Sequence, residues 1–272
     1  MRSDQLSYPP AKTYYNRKMR IIRFKTNNSE PQYGWIREGR VGAIQGDPFG
    51  EFRRFEEAWD LSEVSLLLPC LPTKIIAVGS NYPEHAAEMQ TEVPAYPLLF
   101  LKPPSSLITN GDKIILPPQS KQVEHEAELA VVVGRRSRWL TQDNALSAVF
   151  GYTIANDVTA RDLQRADGQW SRAKGFDTFC PVGPWIETEF DPTDAIITCH
   201  VNNILRQMSP TREMVFSVQK LMMYASSIMT LEPGDLILTG TPAGVGPLQV
   251  GDQVSVHIDG IGTLVNPVAA QE

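Results

Sequence analysis

The stretch VEHEAELAVVVG, from Val123 to Gly134, places Glu124, Glu126 and Glu128 two residues apart, directly before an apolar run. That run is rich in β-branched residues and bounded by PPQSK and GRRSR, which reads as a strand. Side chains two apart on a strand share a face, so three carboxylates would stand side by side, neighbours roughly 7 Å apart. Like charges that close raise each other's pKa. A solvated edge strand would tolerate them, and that is the common fate of an arbitrary E-x-E. Here the stripe leads straight into LAVVVG, a sequence suited to burial, and a buried carboxylate without a partner is costly. A hard divalent cation removes the cost, because Mg²⁺ or Mn²⁺ accepts two or three carboxylates together with waters. Asp157 in YTIANDVTARD follows an apolar strand and opens a polar loop, which makes it the candidate third ligand.

A second constellation lies in VGSNYPEHAAEM. Pro83 is a favoured first helical residue after a strand and a polar turn. His85 and Glu88 then fall at i and i+3 on one helical face. That spacing alone commonly gives a solvated pair. At a strand-to-helix junction it has a further use, since a carboxylate that orients an imidazole makes a general base. The surrounding NYPEHAAEMQTEVPAYP is polar, alanine-rich and bounded by prolines, as expected of a segment that closes over a substrate.

The elements that position these residues are short strands and few helices. Residues 19–70 carry the strand patterns MRIIRF, YGWIRE and VGAIQG, a small β-rich N-terminal domain. LPCLPTK, residues 68–74, is a proline-punctuated linker. From IIAVGS onward, residues 71–272 form the larger unit, with helices expected over 83–90, 141–149, 160–168 and 213–229. Strands do not alternate regularly with helices, which argues against a doubly wound parallel sheet and for an α+β fold with a mostly β core. Residues 1–18, polar and aromatic with two prolines, read as a flexible tail without a secretory apolar core.

Composition bounds the function. Across 272 residues, 42% hydrophobic and 21% charged content supports a sizeable core rather than disorder. The net charge of -6 argues against a nucleic-acid partner. No run of 18 apolar residues is present, so no membrane-crossing helix is expected. Cys70, Cys180 and Cys199 lack C-x-x-C spacing, the pattern of a reducing, cytoplasmic compartment.

Five motifs then carry a resemblance. NYPEHAAE, EHEAELAVVVG, GYTIANDVTARDLQ, KGFDTFCPVGPW and LEPGDLILTGTPAGVG occur in an order that resembles the fumarylacetoacetate hydrolase family, over roughly residues 72–268. The resemblance implies a β-rich roll with few helices, a small N-terminal domain and a homodimer. It places one divalent cation per chain, Mg²⁺ or Mn²⁺ with Ca²⁺ as a possible substitute, on Glu126, Glu128 and Asp157. It places the lid dyad on His85 and Glu88, a lysine beside the metal on Lys174, and substrate contacts on Arg161, Gln164 and Thr241. Glu124 becomes a flank of the stripe. The glycine-rich GTPAGVG lacks the Lys of a P-loop. In VNNILRQ, Asn202–Asn203 stand where the family usually shows Asn-Gly, and Asn also tolerates the positive φ of such a turn. His125, His200 and His257 match no catalytic position.

The implied chemistry begins with a small 2-oxo acid. A cation chelating its carboxylate and 2-oxo group would stabilise an enolate, Lys174 would add positive charge there, and His85 would deprotonate a water that attacks a distal acyl carbonyl. That sequence is the hydrolysis of an acylpyruvate such as fumarylpyruvate or acetylpyruvate, a reaction of aromatic-compound catabolism. The same head also suits oxaloacetate decarboxylation or tautomerisation, and isomerisation of hydroxymuconate-type diacids.

Overall fold

The structure, a computed structural model, describes residues 19–27 and 29–271; the expected tail at 1–18 lies outside the described residues. The chain opens with β1 (Arg20–Lys25), β2 (Gln32–Arg37), β3 (Arg40–Gly46), β4 (Phe52–Asp60) and β5 (Ser65–Leu67). After the linker come β6 (Ile75–Gly79), the short helix α1 (Pro83–Glu88), β7 (Leu98–Lys102), β8 (Leu107–Ile108) and β9 (Ile114–Leu116). The carboxylate stretch forms β10 (Val123–His125) and β11 (Ala127–Val133), followed by β12 (Val149–Asn156) and β13 (Thr159–Ala160). Helices α2 (Arg161–Asp167) and α3 (Ser171–Lys174) precede β14 (Cys180–Glu187), β15 (Ile196–Val201) and β16 (Ile204–Pro210). Helix α4 (Val218–Ile228), β17 (Leu236–Leu238), β18 (Gly246–Pro247), β19 (Gln253–Ile258) and β20 (Gly262–Ala270) complete the chain.

The strands make a mostly β architecture of the expected class. A long sheet runs β4-β3-β2-β1-β14-β12-β11-β17-β6-β7, a second runs β16-β15-β19-β20-β9, and a small one joins β13, β10 and β18. The N-terminal strands continue the long sheet through the antiparallel pairing of β1 with β14. One apolar cluster accordingly mixes Ile21, Trp35 and Ile44 with Ile75, Val132 and Leu236. The larger core, around Leu129, Ile154, Ile197, Leu221 and Val256, fills the space between the two large sheets and α4. No helix of the described residues is long and apolar enough to cross a membrane.

Two helical expectations change. Over 141–149 the backbone makes turns and a 3-10 turn at Leu146–Ala148, not an α-helix. Thr141 and Asn144 divert the chain there: Asn144 Oδ1 accepts the Thr141 N–H at 2.8 Å, an alternative to helix pairing. The last long helix starts at Val218 rather than 213, because Ser217 caps it by accepting the Lys220 N–H. The Asn202–Asn203 turn forms as the sequence allows, both residues taking positive φ, 51° and 65°.

What matters for the site is where strand ends meet. β6 and β17 are parallel neighbours, so the segments after them, Gly79–Asn81 and Thr239–Thr241, emerge on the same side. Asn81 fastens them together. Fully buried, it donates from Nδ2 to the Thr239 carbonyl at 2.7 Å and the Phe216 carbonyl at 3.0 Å, and accepts the Phe216 N–H at 2.7 Å. Gly240 is required beside it. Its φ is +94°, and a Cβ would lie 2.7 Å from the Asn81 Cβ. At the opposite end, buried Asp235 staples the linker to β17 by accepting the N–H groups of Thr73 and Lys74 and pairing with the Lys74 ammonium.

Candidate metal centre and active site

β11 and β12 are antiparallel, with Ala127 opposite Asn156 and Glu128 opposite Ala155. That register brings Glu126, just before β11, beside Asp157, just after β12; the Asp157 N–H donates to the Glu126 carbonyl at 2.8 Å. The Asn156 side chain accepts the Glu126 N–H at 2.9 Å and fixes the break between β10 and β11. Glu126, Glu128 and Asp157 are all buried, and each offers a carboxylate oxygen within 4.8 Å of the others.

Much of the compensation for the stripe is built into the protein. Arg161 spans two carboxylates, donating from Nε to Glu124 at 2.7 Å and from Nη2 to Glu126. Lys174 donates to Glu126 at 2.7 Å and to Asp157 at 2.6 Å. Lys102, at the end of β7, donates to the other Asp157 oxygen at 2.6 Å. Among the described residues, four buried carboxylates therefore face three buried cations, and the one left without a cationic partner is Glu128. It accepts a backbone N–H, from Gly240 at 2.7 Å. Burial, then the charges of Asp157 and Glu126, push the Glu128 carboxyl well above its usual range. Burial alone would raise Glu126 too, but Lys174 and Arg161 reverse that and hold it ionised, well below the usual range.

This donor set fits a hard divalent cation: three clustered carboxylates, acceptor oxygens throughout, and a deficit of one positive charge at Glu128. The fit predicts a pH dependence. In the metal-free protein the raised Glu128 pKa contributes stability that is full below the unfolded carboxyl value and lost as pH rises through the folded one. A cation must displace that proton, so its apparent affinity rises with pH over the same window. Melting curves with and without Mg²⁺ should therefore separate further as pH rises above the ordinary carboxyl range. A constant separation would contradict a protonated Glu128.

Above this floor, His85 in α1 is buried, and its Nδ1 meets Glu88 at 3.0 Å. The second Glu88 oxygen accepts the Gly244 N–H at 3.0 Å, so the same carboxylate holds α1 against the loop after β17. His85, Glu126, Glu128, Asp157, Lys174 and Thr241 all line one cavity of about 220 Å³. Arg161 and Gln164 line it as well. The structure thus brings all nine sequence-predicted site residues within reach of one space, Glu88 through its bond to His85.

Two of them are committed elsewhere than the sequence suggests. Arg161, read as substrate-facing, is buried and spends Nε, Nη1 and Nη2 on Glu124, Gln164 and Glu126. The Thr241 hydroxyl donates to the Ala127 carbonyl at 2.9 Å and accepts from Gln207 at 2.7 Å, which leaves no hydroxyl proton for a ligand. Lys102 and Gln207 were not legible as site residues. Lys102 had one signal, a charge ending the apolar strand LLFLK. Gln207 had none. It anchors His125, the Ala127 N–H and Thr241 from a strand of the other sheet. His125 is buried and structural, kept neutral chiefly by burial.

The ordered motifs agree with comparisons to known proteins. The family model for the fumarylacetoacetate (FAA) hydrolase C-terminal domain matches residues 74–269. The chain belongs to the fumarylacetoacetate hydrolase family. Residues 19–69 match the Rv2993c-like N-terminal model. Oxaloacetate tautomerase FAHD2B, mitochondrial, from Bos taurus is 44% identical over 220 residues, 76% of this chain and 70% of that protein. The crystal structure of 2-hydroxyhepta-2,4-diene-1,7-dioate isomerase from Mycobacterium marinum is 43% identical with a TM-score of 0.86, covering 93% of this chain and 99% of that one. Maleylpyruvate hydrolase from Sphingobium sp. SYK-6, in complex with manganese(II) and pyruvate, is 32% identical with a TM-score of 0.77, covering 93% of this chain and all of that one. Hydrolases, isomerases and tautomerases thus all stand among the relatives of this chain.

Proposed function

We propose that this protein is a Mg²⁺- or Mn²⁺-dependent hydrolase that cleaves the C3–C4 bond of an acylpyruvate. The observation that carries the reading is the His85–Glu88 dyad facing the three-carboxylate floor across one cavity. The manganese and pyruvate of the Sphingobium hydrolase support the same ligand pair. Glu126, Glu128 and Asp157 would hold the cation, which supplies Lewis-acid polarisation of a 2-oxo group when bound. Lys174, charged and buried, offsets the negative charge that develops at the substrate head. His85 presents Nε2 to the cavity because Nδ1 is held by Glu88, and Nε2 takes a proton from water. Hydroxide adds to the distal acyl carbon, the C3–C4 bond breaks with its electron pair on the pyruvate fragment, and C3 then takes a proton. The products are pyruvate and a carboxylic acid.

A second reading, enol–keto conversion of oxaloacetate, is favoured by the 44% identity to the bovine tautomerase. Both reactions start from the same head and differ in whether water attacks. The deciding assay gives the purified protein, with Mg²⁺ or Mn²⁺, fumarylpyruvate and acetylpyruvate on one side and enol-oxaloacetate on the other. Release of pyruvate from an acylpyruvate is expected. Rapid decay of the oxaloacetate enol with no acylpyruvate cleavage would replace hydrolysis with tautomerisation.

A further inference from the structure

Helix α2 presents one stripe to the cavity: Arg161, Gln164 and Arg165, at i, i+3 and i+4. The three differ in what they have left to offer. Arg161 has its charge met by Glu124 and Glu126 and donates a third hydrogen bond to Gln164. Gln164 accepts Arg161 Nη1 through its Oε1 at 2.6 Å, which leaves its amide protons unspent by that contact. Arg165 is exposed, sits about 6 Å further along the helix axis than Arg161, and makes one long hydrogen bond, to the Gln122 side chain at 3.3 Å.

No acid neutralises Arg165 among the described residues. Asp162, one turn back on α2, is turned away to the Ser120 hydroxyl and the Lys121 N–H, at 2.6 and 2.8 Å. Glu124 is paired with Arg161. Lys102, Arg161 and Lys174 are each bonded to a floor carboxylate. Arg165 is therefore the cavity-lining cation with its charge still available. The walls also include Phe100 and Trp170, packed edge to face with ring centroids 5.1 Å apart. The cavity thus combines a buried acidic, metal-fitting floor and aromatic walls with an exposed cation, Arg165.

From this polarity we infer that Arg165, with the Gln164 amide beside it, binds a second, distal carboxylate of the substrate, so that the site selects 2-oxo diacids over 2-oxo acids with an uncharged tail. The inference rests on the 2-oxo-acid reading above and narrows its substrate class. Fumarylpyruvate and oxaloacetate carry the second carboxylate; acetylpyruvate does not. A guanidinium offers two parallel N–H donors matched to a carboxylate, a geometry that an ammonium lacks.

The test uses two unreactive probes with the full-length protein in Mg²⁺. Oxamate carries the chelating head alone, and N-oxalylglycine carries the same head with a distal carboxylate. Calorimetry should show N-oxalylglycine binding tighter than oxamate by about 10–100-fold, the usual worth of a charge-assisted hydrogen bond. Arg165→Ala should remove that preference while leaving oxamate affinity within about twofold, and Arg165→Lys should restore part of it. Equal weakening of both probes, or a preference that survives in Arg165→Ala, would overturn the role of Arg165 and leave the 2-oxo-acid reading standing. Binding of neither probe by the wild-type protein would defeat that reading, and the inference with it.

Discussion

Glu128→Gln is expected to abolish turnover while leaving the metal-free protein at least as stable as the wild type. Asp157→Ala is expected to abolish turnover and to destabilise the fold. Both remove a ligand from the same three-carboxylate cluster, so an account in terms of ligands alone gives them the same outcome. Their surroundings separate them. Glu128 has no cationic partner, and its folded-state carboxyl is raised by burial and by Asp157 and Glu126. A neutral amide of the same shape still accepts the Gly240 N–H and relieves the repulsion. Asp157 neutralises both Lys102 and Lys174. Both lysines are nearly inaccessible, at 2% exposure each. Lys174 keeps Glu126 at 2.7 Å, but Lys102 loses its carboxylate, and that stranded buried charge costs about 3–5 kcal/mol. In a protein of this size that lowers the melting temperature by on the order of 10 °C. Rates should fall by more than ~10³-fold in both variants, since each removes charge stabilisation at the reacting head. Metal content, melting curves in EDTA and turnover on one preparation test this directly. Glu128→Gln that retains a stoichiometric cation would rule out the assigned centre. Asp157→Ala that melts with the wild type would contradict the buried lysine network.

The contrast between Glu128 and Asp157 also shows what could be read from the sequence. The strand β11, the alternation that aligns Glu126 with Glu128, and Asp157 at the end of a second apolar strand were all legible, because strand period and strand ends are local properties. The helix start at Pro83 was legible for the same reason. The lysine on the far side of Asp157 was not. Lys102 reaches it across 55 residues through the long-sheet arrangement that carries β7 to the site, and no local pattern encodes that approach. Gln207 comes from β16 of the other sheet to fix the Thr241 hydroxyl. Arg161 lines the cavity, and its guanidinium is bonded there to Glu124, Glu126 and Gln164, contacts its motif did not announce. Its neighbours in space are two buried glutamates, Glu124 and Glu126, and the cost of burying them claims its charge first. The helix expected at 141–149 failed because the Asn144 side chain competes for a backbone N–H.

His85→Ala is expected to remove acylpyruvate hydrolysis by about 10²–10⁴-fold while leaving metal binding intact. The imidazole makes no bond to Glu126, Glu128 or Asp157 among the described contacts; its partner is Glu88. Glu88→Gln carries the sharper test, because the Glu88 carboxylate accepts at both oxygens. One oxygen takes the His85 Nδ1 proton and the other takes the Gly244 N–H. An amide has one acceptor and one donor group. If its oxygen faces Gly244, its NH₂ faces Nδ1 and forces the proton onto Nε2, where no base remains toward the cavity. If its oxygen faces His85, its NH₂ opposes the Gly244 N–H and loosens α1 from the loop. Either arrangement lowers hydrolysis, by about 10–10²-fold, which is less than loss of the imidazole itself. Conversion of enol-oxaloacetate by the same preparations discriminates further, since it needs enolate stabilisation and proton transfer but no attacking water. It should fall less than hydrolysis in His85→Ala if the imidazole's task is to activate water. It should fall equally if His85 instead moves the C3 proton, and that result would transfer the histidine from hydrolysis to tautomerisation. Hydrolysis at the wild-type rate in His85→Ala would remove the dyad from the mechanism altogether. The attacking water would then have to be activated at the three-carboxylate floor.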